Sequence, residues 1–395
     1  MQNFVYYAPT EIVFGKRTEE QTAQKIKRWG GSRVVIVYGG GSVVRSGLLE
    51  RVGKILEEAG ISYMAIGGVK PNPVLSFAEE GVCKACEFGA DFVLAIGGGS
   101  VIDTAKGIAV GAANPEYALW DIWSGKAKVE KALPTGVILT LAAAGSEMSN
   151  SAVLTNEETG KKAGFGSELN RPKFAIMNPE LTFTIPKYQL TCGIVDIMMH
   201  TMERYFTNFH NNQLTDEIAE GLLRTVIENG RKALEDQTDY HAMSEIMWAG
   251  SLSHNDLTGL GRGKDFTVHK FGHELSAMFD VAHGASLSAM WATWARAVYK
   301  LDMARFKRFG EKIWGLQIEN LEEAALAAID KTEQYFKELG MPVCIGELEC
   351  GVLSEETLRD LSERTTNYGK ISIGQFKKLD TEEVYKIYKA ANHAS

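Results

Sequence analysis

Three of the chain's eight histidines crowd into "HKFGHELSAMFDVAHG", residues 269–284. His269 and His273 are four apart, and His283 lies fourteen beyond His269. Upstream, "GIVDIMMHTMERYF" (193–206) repeats the four-residue spacing with Asp196 and His200. Residues i and i+4 of a helix share one face about one turn apart, which suits two ligands on one ion. Asp196 stands among Ile, Val and Met, where a carboxylate is costly unless paired. Each histidine alone reads as an ordinary hydrogen-bonded helix residue. Together, one aspartate and three or four histidines within about ninety residues read as the donor set of a divalent metal. Gly284 and "FDV" break the helix, so His283 returns from the next segment.

The peptidase motif H-E-x-x-H is excluded because Lys270 follows His269. Imidazole and carboxylate donors disfavour Mg²⁺ and Ca²⁺ and suit Fe²⁺, Zn²⁺, Co²⁺, Mn²⁺ or Ni²⁺. Four protein donors close a tetrahedral zinc shell, whereas Fe²⁺ accepts five or six ligands, so Fe²⁺ is favoured and Zn²⁺ stays open.

A second chemistry lies in two glycine loops, "YGGGS" (38–42) and "AIGGGSVIDTAKG" (95–107). Glycine lets backbone N–H groups approach a pyrophosphate, and a helix starting near Ser100 would aim its free N–H groups at that anion. The G-x-G-x-x-G fingerprint needs glycine at 102, where Ile102 stands, and neither loop carries the Lys-Ser/Thr of a P-loop. Asp103, one turn after Ser100, caps backbone, bonds a ribose or nicotinamide amide, or is an ordinary first-turn acid.

The elements that must position these groups alternate in the first half. Strands are expected in "RVVIVYGGG" (33–41), "SYMAIGG" (62–68), "DFVLAIGGGS" (91–100) and "TGVILTLAAAGS" (135–146). Helices are expected in "LLERVGKILEEAG" (48–60), "SFAEEGVCKACEFGA" and "SVIDTAKGIAVGAAN" (100–114). Such alternation predicts an α/β Rossmann-like domain with a parallel sheet, its ligands beyond the strands' carboxyl ends. After Pro186 the pattern is helical, so residues 1–185 are expected to form the dinucleotide-binding domain and 186–395 an all-helical metal-binding domain.

Composition excludes other classes. With 42 basic and 50 acidic residues the net charge is −8, and no basic cluster invites nucleic acid. No eighteen-residue apolar run predicts a membrane span, and the first residues lack a signal peptide's pattern. Five cysteines suit reduced cytoplasmic thiols, and Cys83 and Cys86 of "CKAC" are expected on a buried helix face. Trp123, Phe165, Phe266 and Trp291 are read as core.

With these residues assembled, the chain resembles the iron-containing (group III) alcohol dehydrogenases over nearly its whole length. The likeness lies in "TEIVFGK" (10–16), "VKPNP" (69–73), "GGGSVIDTAKGIA" (97–109), "TLAAAGSEMSN" (140–150), "NPELTFTIP" (178–186) and both histidine segments. Within that family it is most similar to the butanol dehydrogenases and broad aldehyde reductases. The resemblance implies the dehydroquinate synthase-like two-domain architecture and hydride transfer between nicotinamide C4 and a small primary alcohol or aldehyde, butanol- or butanal-like. It implies Asp196, His200, His269 and His283 as metal ligands, with His273 a nearby proton carrier. It implies that Gly97, Gly98, Gly99, Ser100 and Asp103 hold the pyrophosphate and adjoining cofactor, with Asp103 counted beside His273 in catalysis. Pro71, Asn72, Thr140, Leu141, Ser149 and Lys162 would line the rest of the cofactor cleft, Lys162 reaching a ribose hydroxyl.

Two departures bear on the cofactor. NAD-preferring members of the family carry Asp in the first glycine loop, but here stand Gly39, Gly40, Gly41 and Ser42, with Arg45 following. Without a carboxylate to repel a 2′-phosphate, NADP(H) is admitted beside NAD(H). The family's "AGTGSE" is "AAAGSE" (142–147), with Ala144 in place of a cofactor-facing threonine. A cytoplasmic homodimer joined through "FVYYAP" (4–9) is expected. The rivals are a dehydroquinate synthase-type metal- and NAD-dependent lyase or cyclase, and a non-catalytic cofactor-binding protein. The apolar surroundings of Asp196 disfavour the first, and the full donor set disfavours the second.

Overall fold

The computed structural model describes residues 1–143 and 145–394, so Ala144 lies outside the described residues. The chain divides into two compact units, Tyr7–Ile185, and Pro186–Ser395 together with Met1–Tyr6.

In the first unit the strands are β1 (Glu11–Phe14), β2 (Arg33–Gly39), β3 (Ser62–Val69), β4 (Phe92–Gly97), β5 (Thr135–Leu139), β6 (Ser151–Asn156), β7 (Lys161–Gly166) and β8 (Phe174–Met177). The helices are α1 (Thr22–Arg28), α2 (Ser42–Arg45), α3 (Leu48–Glu58), α4 (Leu75–Phe88), α5 (Gly99–Ala113) and α6 (Leu119–Trp123). Six strands form one sheet in the order β1-β8-β5-β4-β2-β3, every pairing parallel. Helix-covered parallel strands are buried on both faces and read as unbroken apolar runs. Residues 34–37, 92–96, 137–139 and 174–177 are accordingly buried. One face packs Ile36, Leu94 and Ile138 against Ile26, Val52 and Leu56 of α1 and α3. A separate cluster joins Ala78 and Val110 of α4 and α5 to Leu154 of β6.

Several features differ from expectation, beginning with β1 and β8, which join the four expected strands in the sheet. β6 and β7 form an antiparallel hairpin outside the main sheet. Its strands, "SAVLTN" and "KKAGFG", show no alternation of apolar with polar residues, so the sequence predicts no strand there. Cys83 and Cys86 are exposed rather than buried. α4 turns Leu75, Ala78, Gly81 and Ala85 inward, and positions 83 and 86 fall outside that stripe.

The second unit contains α7 (Lys187–Tyr205), α8 (Gln213–Glu235), α9 (Tyr240–His254), α10 (Thr267–Phe279), α11 (His283–Val298), α12 (Met303–Trp314), α13 (Leu321–Glu338), α14 (Glu355–Thr365) and α15 (Thr381–Ala391). Apart from an isolated bridge between Ile373 and Leu379, its described residues form no strand. α7 is buried from Gly193 to Tyr205, so every polar side chain on that stretch needs a partner inside the protein. Among the described residues no helix is long and apolar enough to cross a membrane.

Candidate functional site

Four side chains from three helices meet at one carboxylate oxygen. Around Asp196 Oδ1 stand His200 Nε2 at 3.3 Å, His269 Nε2 at 3.7 Å and His283 Nε2 at 3.8 Å. Two ligands each bonded at ~2.1 Å to a tetrahedral ion lie about 3.4 Å apart, so these spacings suit donors sharing one ion. The ligand atoms of Asp196, His200 and His269 lie within 4.8 Å of one another. Asp196 Oδ1 and His269 Nε2 are buried and make no hydrogen bond to the described residues. Orphaned acceptors facing one point in a dry interior fit a cation.

Local sequence explains how each donor arrives. Asp196 and His200 are one turn apart on buried α7. α11 begins at His283, and a Cβ built on Gly284 would stand 2.7 Å from Cys192 Cα. Only glycine therefore lets the start of α11 press against α7, which brings His283 to Asp196. α10 places His269 in its first turn. Its leading N–H groups are capped by side chains, Thr267 N–H by Asp265 Oδ1 at 3.0 Å and Val268 N–H by Glu203 Oε1 at 2.6 Å.

Two residues missed in the sequence complete this centre. Glu203, fully buried, also meets His269 Nδ1 through Oε2. A carboxylate on one ring nitrogen fixes the tautomer that leaves the other free for metal. Burial pulls the His269 pKa down, but the charges of Glu203 and Asp196 outweigh it and lift it to about 9, so without an ion the ring carries a second proton, on Nε2, that a bound metal would displace. Its spacing was a usable signal, since Glu203 lies seven residues after Asp196 on the same helix face. His254, from α9, brings Nδ1 within 2.9 Å of His200 Nδ1. Burial, then the nearby His254, His269 and Arg204, pushes His200 well below its ordinary pKa, so it is neutral.

His273 stands beside the donors, its ring centre 5.4 Å from that of His283 and 6.1 Å from that of His269. Of the aromatic residues read as core, Trp123 and Trp291 are buried and Phe165 packs on Trp123 at 5.0 Å. Phe266 instead edges onto His200 at 6.0 Å and His269 at 5.2 Å.

In the first unit, parallel pairing gathers the glycine turns. β5, β4, β2 and β3 are successive neighbours, so the segments leaving them share one edge of the sheet. Those segments hold Thr140 and Leu141, Gly98 to Ser100, Gly40 to Ser42, and Pro71 with Asn72. Thr140 N–H bonds Gly97 O at 3.1 Å, and a Cβ on Gly98 would lie 3.0 Å from Leu141 Cβ. Gly41 has φ 113°, and a Cβ there would meet Arg45 Nη1 at 3.3 Å, so the exposed Arg45 reaches back over the loop. The β6–β7 hairpin is bound to this edge by Thr155 N–H to Pro73 O at 2.8 Å, and its Lys162 Nζ meets Asn72 Oδ1 at 2.9 Å.

Asp103 and Ser149 are drawn inward. Asp103 accepts from Ser146 Oγ at 2.6 Å and Val153 N–H at 2.9 Å, tying α5 to the hairpin. Ser149 is buried, and its Oγ accepts from Ser151 N–H at 2.9 Å. Between them lies Lys106, also unforeseen, whose buried ammonium bonds Ser146 O at 2.7 Å, Ser146 Oγ at 2.9 Å, Ser149 O at 3.1 Å and Ser151 O at 2.8 Å. Burial lowers Lys106 to about 8, against the raising charges of Asp103 and Glu147.

Comparison with known proteins points to one family. The family model described as "Iron-containing alcohol dehydrogenase" matches residues 9–179, and that described as "Fe-containing alcohol dehydrogenase family, C-terminal" matches 191–392. The chain is 39% identical to the probable NADH-dependent butanol dehydrogenase 2 of Bacillus subtilis, over 99% of this chain and 100% of that protein. It is 33% identical to the NADPH-dependent aldehyde reductase YqhD of Escherichia coli, over 99% and 100%. The crystal structure of an NADH-dependent butanol dehydrogenase A from Thermotoga maritima superposes with a TM-score of 0.95 at 37% identity, covering 100% of this chain and 99% of that one.

Glu203→Ala should weaken divalent-metal affinity roughly 10- to 100-fold by chelator competition, because His269 loses its orienting partner. Unchanged affinity would show that the carboxylate serves only the helix cap. Lys106 titrates lower in the folded chain than its ordinary 10.5, so the unfolded chain holds more protons here between about pH 8 and 10.5. Folding therefore gains as pH rises through that window. The parent's urea midpoint should gain on that of Lys106→Met from pH 8 to 10.5, and a gap independent of pH would contradict the assignment.

Proposed function

This chain belongs to the iron-containing alcohol dehydrogenase family, and on that premise we propose how its residues carry out NAD(P)H-linked alcohol and aldehyde interconversion. The supporting observation is the meeting of four donors at Asp196 Oδ1, with that oxygen and His269 Nε2 buried and unbonded. Asp196, His200, His269 and His283 hold one divalent ion. Fe²⁺ is favoured over Zn²⁺, because four protein donors already fill a tetrahedral shell and leave no place for substrate. When bound, the ion supplies Lewis acidity to the substrate oxygen, and the nicotinamide gives or takes hydride at C4. The substrate is a small primary alcohol or aldehyde of butanol or butanal size, the class named for the similar butanol dehydrogenases.

His273 does not join the donor set in this reading. Its imidazole holds the proton that passes to or from the substrate oxygen. The N–H groups at Gly98, Gly99 and Ser100 receive the pyrophosphate at the start of α5. Pro71, Asn72, Thr140, Leu141 and Lys162 flank the cofactor along the same sheet edge, with Lys162 directed to a ribose hydroxyl. Asp103 and Ser149 act through the turn they hold, by fixing its shape. Ser42 and Arg45 receive a 2′-phosphate, which no carboxylate in Gly39–Gly40–Gly41–Ser42 repels, so NADPH is accepted and NADH tolerated. Such a chain works in the cytoplasm, consistent with five free cysteines. It pairs as a homodimer through its first residues, where Phe4, Val5, Tyr6 and Tyr7 are exposed. The relatives named above are dehydrogenases and a reductase, which leaves the lyase and the non-catalytic reading without a supporting observation.

Fe²⁺-loaded protein should consume NADPH with butanal and lose that activity on chelation. His269→Ala should lose bound metal together with at least about 100-fold of kcat/KM. Full turnover by this variant with stoichiometric metal would remove His269 from the ligand set. Arg45→Ala should raise KM for NADPH about tenfold, one charge-assisted hydrogen bond's worth, and leave KM for NADH in place. Equal changes for both cofactors would place Arg45 away from the 2′-phosphate.

A further inference from the structure

The contact between His254 and His200 has no part in the reaction just described, yet it constrains the hydrogen on a donor ring. The two Nδ1 atoms lie 2.9 Å apart, with the rings edge-on at 71° and their centres 4.1 Å apart. Two imidazole nitrogens at that separation share one hydrogen, so one ring donates and the other accepts. His200 turns Nε2 toward Asp196 Oδ1, and that nitrogen needs its lone pair to hold an ion. In a neutral imidazole a lone pair on Nε2 leaves the hydrogen on Nδ1. His254 Nδ1 must then be the acceptor.

A guanidinium stands beside both rings. Arg204 Nη1 donates to His200 O at 2.7 Å and lies 3.4 Å from His200 Nδ1, and Nη2 lies 3.4 Å from His254 Nδ1. A guanidinium has donors only and lies equally far from both nitrogens, so it holds the pair in place without choosing the donor, and the choice falls to the lone pair that His200 Nε2 must keep. Arg204 is itself held over the Phe266 ring at 4.9 Å and faces Asp256 at 3.8 Å. The contact joins residues 54 apart in sequence, from the middle of α7 and the last residue of α9.

We propose that His254 is a positioning residue of the metal centre, accepting the Nδ1–H of His200 so that His200 presents its Nε2 lone pair to the ion. This rests on the metal-centre reading above. His254 does for His200 what Glu203 does for His269, with a neutral acceptor in place of a charged one.

The test uses purified full-length protein loaded with Co²⁺, whose visible spectrum reports the coordination of the ion and whose decay in excess EDTA times its release. His254→Phe keeps a ring and removes the acceptor. His254→Asn places a carbonyl oxygen close to the former Nδ1. The expected result is an altered spectrum and release roughly 10- to 100-fold faster in H254F, with H254N close to the parent on both counts. Parental release by H254F, or equal acceleration in both variants, overturns the proposal. Should H254F fail to fold, H254Q replaces it, its acceptor carried one carbon too far, and it must release faster than H254N. A parent that takes up no Co²⁺ overturns the metal centre itself, whereas a parent that binds and an H254F that matches it overturns only the role of His254.

Discussion

An ionised carboxylate cannot remain inside a helix that water does not reach unless something of opposite charge meets it. Asp196 is 5% exposed on a helix buried along most of its length, and three imidazole nitrogens face its free oxygen. Leaving such a group uncompensated costs several kcal/mol, a large part of a single domain's margin of stability. Much of the helical unit can be understood from that requirement. α11 must begin with histidine and then glycine, because only a residue without a Cβ allows the approach to Cys192 that carries His283 inward. α10 must begin beside α7, because its first turn bears His269.

Glu203 shows how closely donor geometry and helix architecture are joined. The same carboxylate accepts N–H groups at the start of α10 and the ring nitrogen of His269. A negative charge is favourable at a helix N-terminus, so the group that orients the His269 ring also fixes the helix that carries it. His200 is supported differently, by a neutral ring and a guanidinium. The two imidazoles therefore differ in donor strength, since a carboxylate raises the basicity of the ring it touches and a second imidazole does so far less.

The same helix-terminus physics underlies the anion site proposed in the α/β unit. The turn from β4 into α5 is open only because Gly98 lacks the Cβ that would crowd Leu141. Beneath the neighbouring turn, Lys106 offers an ammonium to four oxygens, a cage that holds residues 146 to 151 in shape without reaching the surface. The first glycine loop differs in being exposed and in carrying Arg45 over it. On the cofactor placement proposed above, cofactor choice could change there without disturbing the turn at Gly98, in a family whose similar members are named for either NADH or NADPH.

Periodicity and punctuation in the sequence determined a good deal: apolar runs of buried parallel strands, glycines at their ends, and the Asp196–His200 and His269–His273 pairs one helical turn apart. These are local properties, decided by neighbours within a few residues, so they survive being read without coordinates. The tertiary structure alone decided that His254 stands behind His200, that Lys106 sits under the hairpin, and that Asp103 turns toward Ser146 and Val153. Each depends on partners brought together by packing from distant positions, and no spacing along a chain encodes which segment will arrive on the far side of a ring. Glu203 falls between the two cases. Its place on the Asp196 face was legible seven residues away, but its purpose appeared only when α10 was laid against it.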